Sequence, residues 1–596
     1  MNKTIIHTTV SLLSALILSF LIYLSLSSWS EFISICPSKD VLSWDANLRY
    51  VAALDVFYNF RELNVFSGFL ILLDSPTWPP LRTILSLVGI IISGNPDTEA
   101  DVMISTFFYI LLFPSMLFVL YQLNRRRIHL LPLIFLLSSS TLIFSFEIKA
   151  YSLSSMLETQ GMFFLLWAVY FAYRIHPEAA GETPLKYSIY GFSFSFLGLF
   201  FTKYPYGLML ILAAVLYEIA TNYRNLWDLL KLLYKNHLNI FRVIYILILA
   251  AGFAGVLIVS PEGRTGILRK IIYLSFLIVF IDFNFLYYRK YADINPRLSP
   301  VFSAMYRFGF FPALVWLGIH MDRFNSILDT QSHIQDAHRS YTLSFFNELF
   351  SLKILTILFI ASLVVMIYIF VHDLRKKKYD LSKLNPVFLP IALLLGQILL
   401  MEVLTGNKQL RHIYHLIPAL SVFLFSLNPF PLREEQNLIR FRYFLAAAAA
   451  TLFLIFYTFF EQKKQNPPLC FTGMDKKNYD APRFFASSIT PEQKYLLFNN
   501  FHMEPFPLHG YAISTDFDIL IYRQVFPGGF ISRFSKRKEY SSNSFDSVIY
   551  VSRDCSLSAD FQSFIKKFSL SLKLKNSLTH PETGFCMNEF SVEKKP

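Results

Sequence analysis

Charge is what this chain has least of. Only 16% of its 596 residues are Asp, Glu, Lys or Arg, against 54% hydrophobic and 17% aromatic; soluble domains usually carry about 25% charge. Mean hydropathy is +0.44. A large soluble helical protein could hide that much apolar surface in several cores. It would not need repeated apolar runs of about 20 residues, the length that crosses a bilayer. Cysteine is scarce too, with four residues at Cys36, Cys470, Cys555 and Cys586. No C-x-x-C pair or His–Cys cluster occurs, so a divalent metal has no support from ligand spacing, and no cofactor is firmly implied. The sequence has no phosphate-binding glycine loop, which argues against an ATP-driven pump. It has no internal repeat, and its one biased tract, Ala446–Ala450, suits close helix packing.

What the chain does have is apolar runs. They fall near 5–27, 100–123, 129–146, 152–173, 188–202, 205–220, 243–260, 268–287, 300–319, 352–371, 386–403, 412–428 and 443–460, about thirteen spans in all. The first, Ile5 to Leu26, is too long for a signal-peptide core. It is followed by Ser27-Ser28-Trp29-Ser30, a poor cleavage site, so it reads as a retained span. The net charge of +13 sits in short clusters between runs rather than on a nucleic-acid surface. With the N-terminus inside, the inner loops hold Arg125–Arg127, Arg174 with Lys186, Arg224 with Lys231 and Lys235, Arg289 with Lys290, Arg375–Lys378, and Arg433 with Arg440. All fall on one side, as the positive-inside rule requires. The run Leu81 to Ser93, between Pro79-Pro80 and Gly94-Asn95-Pro96, is too short to span and reads as a helix on the outer surface.

The expected architecture is an all-α polytopic membrane domain over 1–460, with outward loops at 28–99 and 320–350. A small outward α/β domain follows over 461–596. Alternating stretches such as Ser547-Val548-Ile549-Tyr550-Val551 read as strands of that domain. All four cysteines lie in outward segments, where disulfides are permitted. Cys555 with Cys586 is the preferred pair, and Cys36 with Cys470 is a second candidate. The expected location is the bacterial inner membrane, with the tail domain in the periplasm.

Polar residues at the outer ends of the spans carry the functional signal. Asp45, in Trp44-Asp45-Ala46-Asn47-Leu48-Arg49-Tyr50, could take the proton of an attacking hydroxyl or amine. On spacing alone, an Asp before an apolar run reads first as a helix cap. Asp55 and Asp74 are weaker carboxylates of the same loop. Lys149, Lys203, Arg264, Lys408 and Arg411 break the positive-inside pattern in four outward turns. A lipid phosphate or diphosphate at that level would account for them through charge-assisted hydrogen bonds; snorkelling to headgroups is the plain alternative for any one of them. Glu147 stands beside Lys149, where a local ion pair is the bland reading, and Glu158 sits in the first turns of a span, where a buried acid is costly. His320, His333, His338, Asp322 and Asp336 follow no ligand pattern and read as a solvated loop.

Taken in order, these stretches resemble the GT-C membrane glycosyltransferases. More narrowly, they resemble the bacterial relatives of protein O-mannosyltransferases and lipid A aminoarabinose transferases (glycosyltransferase family 39-like). The residues are Asp45 to Ala52 in the first loop, Pro79-Pro80-Leu81 with Gly94, Glu99-Ala100-Asp101, Glu147-Ile148-Lys149-Ala150-Tyr151-Ser152, Phe201-Thr202-Lys203-Tyr204, and Gln409 to Pro418. Ala46 stands where the family often has a second acid, Lys149 where Arg is commoner, and His412 interrupts an expected Arg-Tyr. The resemblance implies a polyprenyl-phosphate sugar donor, and a protein, lipid or glycan acceptor on the outer face. It implies Asp45 as the catalytic base or acceptor-orienting acid, with Trp44, Tyr50, Asp74, Glu147 and Glu158 as acceptor or sugar-binding candidates. Lys149, Lys203, Arg264, Lys408 and Arg411 are then the donor-phosphate candidates. The competing classes are a flippase or transporter for lipid-linked glycans, a polysaccharide polymerase of another fold, and a membrane scaffold. Related halves, the usual mark of a transporter, are not evident.

Overall fold

The computed structural model describes residues 3–35, 44–73, 79–124, 131–143, 146–175, 185–213, 414–426, 476–491, 493–499, 520–525, 530–533, 545–552, 555–568, 570–582 and 584–593, with a few single positions between them. The apolar runs expected near 243–260, 268–287, 300–319, 352–371, 386–403 and 443–460, and the 320–350 loop, lie outside these residues apart from such single positions.

Helix α1 (Lys3–Ile35) runs further than its apolar run. Its serines do not break it, because Ser25 and Ser28 each donate to the carbonyl four residues back, Leu21 and Leu24, both at 2.8 Å. The outward loop expected over 28–99 is largely helical: α2 (Trp44–Arg61), α3 (Val65–Leu73) and α4 (Leu81–Ser93). Helix α4 ends at Gly94, whose φ of +67° provides the left-handed cap that returns its amide to Ile90 at 3.0 Å. Helices α5 (Thr98–Leu123), α6 (Leu131–Ile143), α7 (Phe146–Ser152), α8 (Glu158–Ile175), α9 (Leu185–Thr202) and α10 (Tyr204–Ala213) follow. A single 3-10 turn (Tyr414–Leu416) then leads into α11 (Ile417–Ser426). Among the described residues two helices are long and apolar enough to cross a membrane, His7–Ser34 and Thr98–Leu123. The run expected at 152–173 is split. Residues 153–157 are non-helical and α8 begins only at Glu158.

Helices α8 and α9 pack as a hairpin. Gly191 lies under the Phe171 ring and Gly198 under Phe164, and a Cβ at Gly191 would sit 2.5 Å from that ring. Such close backbone approach is what small residues at a helix interface permit. The buried core of this helical part runs through Phe113, Phe135, Leu165, Phe196 and Met209.

The tail contains a five-stranded sheet in the order β2-β1-β3-β5-β4. Its strands are β1 (Lys494–Asn499), β2 (Phe530–Arg533), β3 (Ser547–Ser552), β4 (Ser571–Thr579) and β5 (Cys586–Glu593). β1 is parallel to β2 and β3, while β5 is antiparallel to β3 and β4. Strand β3 is buried along its whole length rather than on one face. The reason is that both faces of the sheet are covered. Leu496, Phe498, Val548 and Tyr550 pack with Phe561 and Phe564 of helix α13 (Ala559–Lys567), which follows α12 (Lys476–Ser487). Tyr495, Leu497, Ile549 and Val551 share the other core with Phe485 of α12, with Ile521 and Val525, and with Tyr50, Leu54 and Tyr58 of α2. The tail is thus built onto helix α2. The Tyr58 hydroxyl donates to the Tyr522 carbonyl at 2.5 Å, the Tyr522 hydroxyl donates to the Asp55 carboxylate, and Arg523 Nε lies 2.7 Å from Asp97 Oδ1. Cys555 and Cys586 are joined by a disulfide, with Cα atoms 5.0 Å apart, that ties the start of β5 to the segment after β3.

Candidate functional site

The α8–α9 hairpin brings the first residue of one helix to the residue just past the end of the other. Glu158 opens α8 and Lys203 follows α9, so an acid lies at a helix N-terminus and a base at a helix C-terminus, the ends whose dipoles favour those signs. Lys203 Nζ lies 3.9 Å from Glu158 Oε1, and both side chains are buried. The ammonium also lies 5.2 Å from the centroid of the Tyr206 ring, within cation–π range. Tyr206 stacks on His415, with centroids 3.7 Å apart and planes at 21°. Gly161, one turn into α8, leaves the room for that stack: a Cβ there would meet the Tyr206 ring at 2.6 Å and His415 Cβ at 3.2 Å. Glu158 Oε2 is buried and has no hydrogen-bond partner among the described residues. A fixed cation beside an underused carboxylate oxygen can hold an anionic group and accept from a hydroxyl next to it.

The non-helical residues leading into Glu158 are held from two sides. Arg49 of α2, buried, donates from Nη2 to the Ser155 carbonyl at 3.3 Å. From α5, Thr106 Oγ1 donates to the Ser152 carbonyl at 2.9 Å and Ser105 Oγ to the Met156 carbonyl at 3.4 Å. Behind Ser105 is a buried ion pair, Arg82 Nη2 to Asp101 Oδ2 at 3.0 Å, in which Arg82 Nη1 also donates to Ser105 Oγ at 3.0 Å. Ser86 donates to the same Asp101 carboxylate. A polar layer therefore runs from α4 through α5 and α2 to the mouth of α8.

Asp45 was expected on a loop; its backbone lies in the first turn of α2 instead, four residues before Arg49. That spacing puts Asp45 and Arg49 on one helix face. Trp44 is the first residue of the same helix. Tyr50 is fully buried, and its hydroxyl is held well above the ordinary tyrosine value by burial, with Asp101 and Asp97 adding to the effect and Arg523 opposing it. A phenol so placed stays protonated. Lys149 is half-buried on α7; burial pushes its ammonium below the ordinary lysine value and the Glu31 carboxylate partly restores it. Glu147 belongs to the same short helix. Asp74, Arg264, Lys408, Arg411, Cys36 and Cys470 lie outside the described residues. Among the described residues no three His, Cys, Asp or Glu side chains gather as a metal site would need.

The structure thus brings Glu158 and Lys203 together and adds residues that sequence reasoning passed over: Arg49, the Arg82–Asp101 pair, Tyr206 and His415. Arg49 and Asp101 stood inside the quoted motifs. Tyr206 and His415 lie more than 200 residues apart and gave no joint signal.

No protein-family model matches the chain, and no curated protein matches it. Among solved structures it is similar to ArnT from Cupriavidus metallidurans bound to undecaprenyl phosphate, at 11% identity and a TM-score of 0.46, covering 96% of this chain and 97% of that one. It is also similar to the archaeal oligosaccharyltransferase AglB from Archaeoglobus fulgidus in complex with an inhibitory peptide and a dolichol-phosphate. There the identity is 10% and the TM-score 0.43, over 91% of this chain and 69% of that one.

Proposed function

We propose that the chain is a multi-pass membrane glycosyltransferase of the GT-C type. It moves a sugar from a polyprenyl-phosphate-linked donor to a protein, lipid or glycan acceptor on the outer face of the membrane. In this reading residues 1–460 form the catalytic membrane domain and 461–596 an outward-facing, periplasmic domain. The observation that carries it is the buried Lys203–Glu158 pair, 3.9 Å apart at the mouth of the α8–α9 hairpin. A lysine kept there at the cost of desolvation suits a leaving lipid phosphate.

The reaction is a displacement at the anomeric carbon. Asp45 takes the proton of the acceptor hydroxyl or amine as its oxygen or nitrogen attacks C1. The C1–O bond to the phosphate breaks, and the electron pair leaves with the lipid phosphate. Lys203 stabilises that charge, with Lys149, Arg264, Lys408 and Arg411 as further donor-phosphate candidates. Trp44, Tyr50, Asp74, Glu147 and Glu158 are the candidates for binding sugar and acceptor. The departing phosphate needs no nucleotide.

Surface glycans compared with and without the protein identify the product, and purified protein with that donor then gives rates. Asp45→Asn is expected to abolish transfer while membrane insertion stays normal, and Lys203→Ala to raise KM for the lipid donor. Full activity in the first variant removes Asp45 as the base; unchanged donor dependence in the second removes Lys203 from the phosphate site.

A further inference from the structure

Helix α3 is only nine residues long, about 13.5 Å, far short of the roughly 30 Å hydrocarbon layer. It carries no charged residue, yet most of its surface faces outward. Phe66 is 74% exposed, and Val65, Phe69, Leu70 and Leu73 are exposed as well. The turn before it presents Leu63 at 86% exposure, in the left-handed region at φ 59°. On the protein side Gly68 is pressed against the Phe60 ring of α2, which fixes which face of α3 points away. Ile71 and Leu72 pack on the core that also holds Phe32, Trp29 and Ile33 of α1. Those three are in the last two turns of a 33-residue helix, about 50 Å long, so they stand where a span leaves the bilayer. The charged neighbours point elsewhere: Arg61 lies over the Tyr58 ring, and Glu62 is 3.8 Å from Lys494 of the tail. Helix α4 repeats the arrangement. Ile84, Val88, Ile91 and Ile92 form an exposed stripe opposite buried Arg82 and Ser86.

We infer that α3, with Leu63, is an interfacial anchor sunk into the outer leaflet that sets the depth of α2 and of Asp45 at its start. The inference rests on the reading of this chain as membrane-spanning. The occupant is the bilayer rather than a second protein, because α3 packs through Ile71 and Leu72 on the last two turns of α1, just beyond the exposed apolar residues Phe20, Tyr23 and Leu26 of that span. The bulky apolar side chains enter the acyl boundary, and the Gly68–Phe60 contact transmits their position to α2.

The test uses the full-length chain with Phe66→Trp, reconstituted in phosphatidylcholine vesicles, with fluorescence compared against the parent protein. Lipid brominated near the headgroup should quench the added tryptophan at least about twofold more than lipid brominated near the chain ends, with little quenching by aqueous acrylamide. Acrylamide quenching without lipid quenching overturns the anchor. Quenching by neither also overturns it, and points to cover by a second copy of the chain. Phe69→Trp repeats the measurement one turn on, in case the first variant folds poorly. The readout needs no catalysis, so it can fail while the transferase reading stands, and it can succeed if that reading fails.

Discussion

Consider Asp101→Ala. The Arg82 guanidinium and the Asp101 carboxylate are 3.0 Å apart, with side-chain exposures of 1% and 2%, so solvent screens neither. Removing the carboxylate leaves Arg82 with the Ser105 hydroxyl and the backbone carbonyl of residue 101, and leaves Ser86 with the Arg82 carbonyl as its remaining acceptor. An uncompensated buried charge of this kind costs about 3–5 kcal/mol. Net stabilities are about 5–15 kcal/mol, so the loss is severe without being necessarily fatal. It falls on the α4–α5 contact first. Amide exchange in α4 should therefore accelerate by about 140- to 3,700-fold at one decade per 1.4 kcal/mol. Mass-resolved hydrogen exchange on the purified chain reads this directly. Replacing both partners by apolar side chains, Arg82→Met with Asp101→Leu, should return exchange to near the parent rate, since the penalty lies in the orphaned charge rather than in the missing pair. An acceleration below about fivefold in the single variant, or a double variant as fast as the single, refutes the argument.

Two further outcomes follow from the site. Gly161→Ala puts a methyl group 2.6 Å from the Tyr206 ring, and the overpacking, about 1–3 kcal/mol, outweighs the helix-propensity gain of up to about 1 kcal/mol. Donor use should fall and thermal stability should drop; a more stable variant with unchanged KM contradicts this packing. Glu31→Gln removes the charge that props up the Lys149 ammonium, so its pKa drops further. If protonated Lys149 helps hold donor phosphate, the alkaline limb of the rate profile moves to lower pH, and an unmoved limb excludes that role. Stability goes the other way with pH. Folding lowers this pKa, so between the folded value and 10.5 the unfolded chain holds more proton, and the destabilisation fades as pH rises through that window.

Sequence reading worked where a signal is local. The apolar run 81–93 is bounded by Pro79-Pro80 and Gly94, and α4 has those limits because a proline pair and a left-handed glycine act within one turn. The run 100–123 differs from α5 by two residues at one end. Locality failed at the serines of α1, whose hydroxyls are satisfied inside the helix, and at 44–61, where a helix forms on a segment too polar to read as a span. The stretch at 547–551 was legible as a strand, but its burial on both faces was not, because the helices that cover them, α2 and α13, lie elsewhere in the chain.

The first loop shows the same division. Composition and spacing by themselves determined that the chain is rich in apolar runs, that its basic clusters fall between them, and that Asp45, Glu158 and Lys203 fall near the ends of those runs. Each follows from a property of one short stretch. Only the tertiary structure decided that Glu158 meets Lys203, that Arg49 reaches the segment before α8, and that the tail shares a core with α2. Those contacts join residues 45 to more than 460 positions apart. They depend on antiparallel packing of α8 on α9, and on how the sheet presents Tyr495 and Ile549 to α2, geometries that no local pattern encodes.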